Sequence, residues 1–168
     1  AGLETVSASR GNKALIGEVN HLQIDSCDLL AMKQALKGVD AVINCVAGDA
    51  KSIAQGADVL TQAALANNKP QIIHLSTMAV YGRFEGLATE QTPLDPGLGW
   101  YAAAKCQAEY HIQRYVEQGG GAVILRPGCV SGPGSQLWVG RIGRWLQAGR
   151  LGDLGEHGDG WSNLVHVD

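Results

Sequence analysis

The sequence predicts an α/β fold, a doubly wound parallel sheet, on three observations. Short apolar runs alternate with stretches of helical pattern along the whole chain, the order that parallel strands joined by crossover helices produce. Several runs, such as Asp40-Ala41-Val42-Ile43-Asn44-Cys45-Val46 and Gln71-Ile72-Ile73-His74-Leu75-Ser76, are apolar almost throughout rather than alternating, as in strands covered on both faces. The length of 168 residues, with 45% hydrophobic and 17% charged content, suits a single globular domain with a core.

The elements follow in order. Leu3 to Ser9 reads as a strand, followed by Arg10-Gly11-Asn12-Lys13. His21 to Ile24 is a second, short strand ending at Asp25-Ser26. A helix covers Asp28 to Leu36, with Asp28 at its start and Gly38 past its end. The Asp40 to Val46 strand leads through Ala47-Gly48-Asp49 into a helix that runs to about Asn67, where Asn68-Lys69-Pro70 breaks it. Gln71 to Ser76 is the next strand, and a long loop with Pro93 and Pro96 covers Gly82 to Gly99. A helix opens at Trp100-Tyr101 and ends at Gly119-Gly120-Gly121. Ala122 to Leu125 is another buried strand, followed by Arg126-Pro127-Gly128. A helix spans about Gln136 to Ala148, Gly149 to Gly160 is a loop, and Trp161 to Val167 is a final strand.

Composition narrows the partners. A net charge of -3 gives no reason to expect nucleic acid or an anionic membrane. No apolar run approaches the ~20 residues of a membrane span, and no signal peptide pattern opens the chain. The cysteines Cys27, Cys45, Cys106 and Cys129 are widely spaced without a CxxC, which reads as buried free thiols of a cytoplasmic protein. The five histidines show no ligand spacing, so no metal is expected, and His74 reads as a satisfied structural residue. The chain starts at Ala1 and stops at Asp168 inside an apolar run, so both ends read as cut.

The chemistry centres on Trp100-Tyr101-Ala102-Ala103-Ala104-Lys105. Residues four apart share a helix face, so Tyr101 and Lys105 project side by side. A phenol titrates near ~10, and a neighbouring ammonium lowers that value. The pair then suits proton exchange with a carbinol or carbonyl oxygen. The bland alternative is an amphipathic surface helix with Tyr half buried and Lys solvated. Ligands of doubly wound sheets bind beyond the carboxyl ends of the strands. That rule selects Arg10, Asp25, Asn44 to Gly48, Ser76-Thr77 and Pro127-Gly128, and Tyr101 can reach the same rim.

The order of these motifs resembles the extended short-chain dehydrogenase/reductase family, the NAD-dependent epimerase/dehydratase group, over almost the whole chain. The resemblance rests on Gly38-Val39-Asp40-Ala41-Val42-Ile43-Asn44 leading into Ala47-Gly48, and on Leu75-Ser76-Thr77-Met78-Ala79-Val80-Tyr81-Gly82. It continues through Glu90, Pro93 and Tyr101 to Lys105, then Leu125-Arg126-Pro127 before Gly132-Pro133-Gly134, and Leu164-Val165-His166-Val167-Asp168. It implies a Rossmann-like fold with Tyr101 as general acid/base. Lys105 would lower its pKa and hold the nicotinamide ribose, and Thr77 would hydrogen-bond the reacting oxygen. It places Asp25 and Ser26 at adenine, Val46, Ala47 and Gly48 along the phosphates and ribose, Ser76 on the cofactor rim, and Pro127 and Gly128 along the nicotinamide. The alternative for Thr77 is a turn-forming hydroxyl.

Arg10 bears on the cofactor. NAD-binding sheets place an acid after the second strand, whereas an Arg there accommodates a 2′-phosphate. Here the strand ends Ala8-Ser9-Arg10 with no acid until Glu18, so NADP is expected over NAD. The family's Gly-rich turn and its first strand would precede Ala1, leaving a gap between the strands at Val6 and Val42. Gln55 stands where many members have Asn and is given no role. Residues 1–168 are expected to be one truncated NAD(P)-binding domain, with a substrate-binding part starting at about 131–168.

The activity implied is an NAD(P)-dependent oxidoreductase, or an epimerase or dehydratase, on a small carbinol or carbonyl substrate, nucleotide sugars included. The alternatives are a non-catalytic NADP-binding sensor of related fold and an inactive truncated fragment. Arg141 and Arg144 read as a solvated basic face rather than a phosphate site, and Trp138 and Trp145 as packing residues. A homodimer through the Tyr101 helix and the helix after Ala50 is the family's habit.

Overall fold

The largest sheet is built around the Gln71 strand, as its apolar run requires. In the computed structural model, which describes residues 2–12, 19–160 and 162–167, the elements are β1 (Val6–Ser9), β2 (Asn20–Gln23), α1 (Leu29–Ala35), β3 (Ala41–Asn44), α2 (Ala50–Leu65), β4 (Gln71–Leu75), α3 (Trp100–Glu117), β5 (Ala122–Leu125), β6 (Cys129–Ser131), α4 (Arg141–Gln147) and β7 (Leu164–His166). The chain forms two compact units, Ala1–Leu125 and Arg126–Asp168. Lys13, Glu18 and Trp161, which entered the sequence expectations, lie outside the described residues.

In the first unit β3, β4 and β5 pair in that order, all parallel, with Ile43 beside Ile73 and Ile73 beside Val123. Side chains alternate across a strand, so Ile72 and His74 point to one face, where both are buried. There Ile72 packs with Leu36 after α1, Leu60, Ala63 and Ala64 of α2, and Ile112 and Tyr115 of α3. A second cluster of Ile53, Ala57, Ala104 and Ala108 joins α2 to α3 through small side chains, which let two helices approach closely. Burying each large apolar side chain contributes about 1.5–3 kcal/mol.

Local chemistry sets the ends. Asp28 accepts from the backbone N–H groups of Leu30 and Ala31, and Asp49 from that of Ser52, capping α1 and α2. Beyond α3, the chain closes on the Tyr115 ring, with which a Cβ at Gly120 would collide. The Tyr115 hydroxyl donates to the Pro70 carbonyl at 2.7 Å, tying the end of α3 to the start of β4.

The break foreseen between the strands at Val6 and Val42 is present: β1–β2 is a parallel pair separate from β3–β4–β5. Two expectations are corrected. Coverage on both faces does not hold, because Ile43 is 64% exposed and Val123 and Leu125 lie on the open face at about half exposure. An apolar run reveals that a strand avoids water on average, not which face finds a partner. The cysteines are free, but Cys45 is exposed rather than buried, since it follows the last paired residue of β3.

In the second unit, β6 pairs in parallel with β7, Val130 beside Val165. The sequence reading missed β6, a three-residue strand set between Gly128 and Gly132. The helix foreseen from Gln136 is a π-helical turn over Gln136–Gly140 that continues into α4. Trp138 and Trp145 are about half exposed, so neither is the packing residue expected. The Arg141 guanidinium stands 6.0 Å from the Trp145 ring centroid, and Arg144 donates to the Gln136 side chain, so both arginines serve their own helix.

Candidate functional site

The site begins at the amino end of α3. The Asp95 side chain accepts from the Gly97 backbone N–H at 2.7 Å, and the Asp95 N–H donates to the Val80 carbonyl at 2.8 Å. These bonds seat the loop before Gly99, whose φ of 115° admits glycine at the turn into the helix. Tyr101 and Lys105 then lie one turn apart, as their spacing requires.

Lys105 is only 3% exposed. Its Nζ donates to the Leu75 carbonyl at 2.7 Å and to the Val46 carbonyl at 3.2 Å. Both acceptors follow or close parallel strands, so α3 is pinned to the carboxyl ends of β3 and β4. An ammonium has three donors, and the third has no protein acceptor among the described residues. Burial pushes the Lys105 pKa down, while the Cys45 and Glu109 charges oppose that shift.

Tyr101 is 37% exposed, and burial raises its phenol above the ordinary value. The expected lowering by Lys105 is therefore corrected for this arrangement. The ammonium is directed at two carbonyls, and loss of water dominates at the phenol.

Behind Lys105 lies a buried polar bridge. Asn44 Oδ1 accepts from the Val46 N–H at 3.1 Å, and its Nδ2 donates to His74 Nδ1 at 3.0 Å. Val46, whose carbonyl receives Lys105, is thus also held through its own N–H. His74 is not fully satisfied as expected: Nε2 is buried with no partner among the described residues. Burial first, and the Lys105 charge second, lower its pKa from 6.5 to about 4, so the ring is neutral. Glu109, fully buried one turn beyond Lys105, was missed; its four-residue spacing from Lys105 was the available signal.

The other candidates fall as follows. Thr77 Oγ1 accepts from the Ala79 N–H at 3.3 Å, capping a 3₁₀ turn over Met78–Tyr81. The turn-forming role is real, and the hydroxyl can still donate its proton. The turn packs against α3, with Cys106 Sγ 3.9 Å from the Val80 carbonyl. Ser76 Oγ is buried without a partner among the described residues, facing the interior rather than an open rim. Asp25 accepts from the Cys27 N–H at 2.9 Å, and Gly56 of α2 comes so close to Ser26 that a Cβ there would lie 3.0 Å from its hydroxyl.

Val46 is half-buried, whereas Ala47 and Gly48 are exposed, and Gly48 has a φ of 117°. Asp49 is held below the usual carboxylate range first by the Ser52 N–H and hydroxyl, with Arg10 adding a smaller favourable charge. The exposed Arg10 therefore acts on the turn that opens α2. Pro127 and Gly128 belong to the second unit, where a Cβ on Gly128 would collide with the Asn163 carbonyl. That close approach gives Gly128 a packing reason of its own.

This donor set fits a nicotinamide dinucleotide. Lys105 keeps an ammonium donor, Ala47 and Gly48 are exposed backbone, and the Arg10 charge reaches Asp49 next to them. Among the described residues no group of three or more His, Cys, Asp or Glu is placed to hold a metal ion, and no helix is long and apolar enough to cross a membrane.

Comparison with known proteins bears on the family and the fold. Residues 3–168 match the family model of the NAD dependent epimerase/dehydratase family. The chain is 30% identical over 164 residues to a 2-alkyl-3-oxoalkanoate reductase of Stenotrophomonas maltophilia, covering 89% of this chain and 49% of that protein. It superimposes with a TM-score of 0.76 and 26% identity on DesIV, a dTDP-glucose 4,6-dehydratase of Streptomyces venezuelae with NAD bound, covering 88% of this chain and 51% of that one. A UDP-glucose 4-epimerase of Thermus thermophilus in complex with NAD shares the fold, with a TM-score of 0.71 at 22% identity over 79% of this chain and 50% of that one. The chain spans about half the length of these relatives. The motifs, the parallel α/β architecture and the family match over residues 3–168 together make this chain a member of the NAD-dependent epimerase/dehydratase family.

Proposed function

We propose that the chain carries the cofactor half of an NAD(P)-dependent oxidoreductase, or epimerase or dehydratase, that works on a carbinol or carbonyl through Thr77, Tyr101 and Lys105. One observation carries this reading: Lys105 is buried one turn from Tyr101, clasped by the Leu75 and Val46 carbonyls, with a donor to spare. A buried cation fixed at the ends of two parallel strands is costly unless something uses it.

The bound nicotinamide would give or take a hydride. Lys105 would hold the ribose through its third N–H, and Val46, Ala47 and Gly48 would run along the phosphates and ribose. Tyr101 would pass its proton to the substrate oxygen, and Thr77 would donate a hydrogen bond to that oxygen. Burial raises the Tyr101 phenol above its ordinary value, so a charge brought near it by the cofactor or substrate would have to offset that shift for efficient proton exchange. The 3-oxo acid chemistry named for the Stenotrophomonas relative is the first substrate class to test, with nucleotide sugars second.

Asp25 and Ser26 would receive the adenine, and Arg10 a 2′-phosphate, giving a preference for NADP. Pro127 and Gly128 would line the nicotinamide, and a substrate-binding part would begin at about residue 131, within the separately compact second unit. Pairing of two copies through α2 and α3 would follow the family's habit. The test is oxidation of NADPH or NADH in the presence of 3-oxo acids and of dTDP- or UDP-glucose, with wild type and Tyr101→Phe. Equal turnover by the two proteins removes Tyr101 from catalysis.

A further inference from the structure

Resting on the reading that Arg10 receives a 2′-phosphate, we propose that His21 and Gln23 are positioning residues for cofactor choice. They hold the backbone that carries Arg10. The parallel register sets His21 beside Ser7 and Gln23 beside Ser9, and alternation puts these four side chains on one face of the β1–β2 pair. Past Ser9 the ladder ends, with the Ile24 N–H donating to the Ser9 carbonyl at 2.8 Å. The next two carbonyls are taken by side chains instead. Gln23 Nε2 donates to the Arg10 carbonyl at 3.1 Å, and His21 Nε2 to the Gly11 carbonyl at 2.9 Å.

The remaining bonds lock the donor. A carbonyl only accepts, so His21 Nε2 carries the proton and Nδ1 accepts from the Ser7 hydroxyl at 2.8 Å. Ser9 Oγ accepts from the Gly11 N–H at 3.2 Å, which bends the chain just past β1. Arg10 itself is exposed, and its charge acts on Asp49 at the start of α2. The staple therefore fixes the peptide on the carboxyl side of an exposed guanidinium whose charge reaches Asp49, next to the candidate phosphate turn. Ordering the carrier before binding leaves less freedom to lose when the anion arrives.

The test is a titration of the chain, followed by NMR, with adenosine 2′,5′-bisphosphate and with 5′-AMP. These probes differ in the 2′-phosphate and need no complete dinucleotide site. Wild type is expected to prefer the bisphosphate, and Arg10→Ala to lose that preference. His21→Ala and Gln23→Leu should each reduce it roughly two- to tenfold, the scale of one hydrogen bond, with 5′-AMP affinity unchanged. His21→Gln keeps an N–H for the Gly11 carbonyl and should restore most of the preference. Thermal melts accompany each variant; if His21→Ala unfolds, Gln23→Leu and His21→Gln decide. Full preference in folded His21→Ala and Gln23→Leu overturns the positioning role and leaves the Arg10 reading standing. No preference in wild type, or no response to either nucleotide, overturns the Arg10 reading itself and the staple's role with it.

Discussion

Lys105 and Arg10 are both cations at the carboxyl ends of parallel strands, and the fold holds them by opposite means. Lys105 is 3% exposed, and its ammonium is seated on two backbone carbonyls. Arg10 is exposed, and what holds it is its own peptide, bonded by the side chains of β2. A cation placed by strand backbone cannot be moved without disturbing the core. One placed by neighbouring side chains can be retuned or replaced at little cost to stability. On the proposed function, the first position serves the chemistry and the second serves the choice of cofactor.

The comparison breaks most readily at the chemical end. Tyr101→Phe should lower turnover by roughly 10²–10⁴-fold, the usual range for one general acid, with cofactor affinity nearly unchanged. Steady-state kinetics that show a rise in KM alone would move Tyr101 from catalysis to binding.

The buried character of the Lys105 end is tested through His74. Its folded pKa is about 4 against an ordinary 6.5, so the unfolded chain binds more protons between those values. Stability is therefore full above about pH 6.5 and falls as pH drops towards 4, by about 3 kcal/mol in total. Urea midpoints across this window should show that slope, and His74→Gln should flatten it. Equal slopes in the two proteins would mean the ring is not buried neutral.

Lys105→Met sharpens the contrast further. It leaves the Leu75 and Val46 carbonyls without their donor and should destabilise the fold by about 1–3 kcal/mol. Arg10→Ala, the smallest expected effect, should change stability by less than about 0.5 kcal/mol while removing discrimination between NADPH and NADH. Similar stability losses in these two variants would erase the distinction between the two ends.

Much of this was legible in the sequence. The strands at Val42, Ile72 and Val123 and the helices at Ala50 and Trp100 follow from apolar runs and helix spacing, and Asp28 caps α1 as its position indicated. The i,i+4 spacing of Tyr101 and Lys105 placed both on one face. The direction of the ammonium was not legible, because its acceptors, the Val46 and Leu75 carbonyls, lie 59 and 30 residues away in the chain. Arg10 stood out by residue type, but its support by His21 and Gln23 depends on strand register, which neither segment specifies alone. The exposure of Cys45 and Ile43 was hidden because an apolar run does not say which face is covered.

The most direct measurement is a fluorescence titration of the chain with NADPH and NADH, in wild type and Lys105→Met. Saturable binding by wild type is expected, tighter for NADPH, with at least about tenfold weaker binding of both cofactors by the variant, the scale of a lost charge-assisted hydrogen bond. Equal binding by the two proteins, or none by wild type, would contradict the assignment of Lys105 as the anchor of the cofactor.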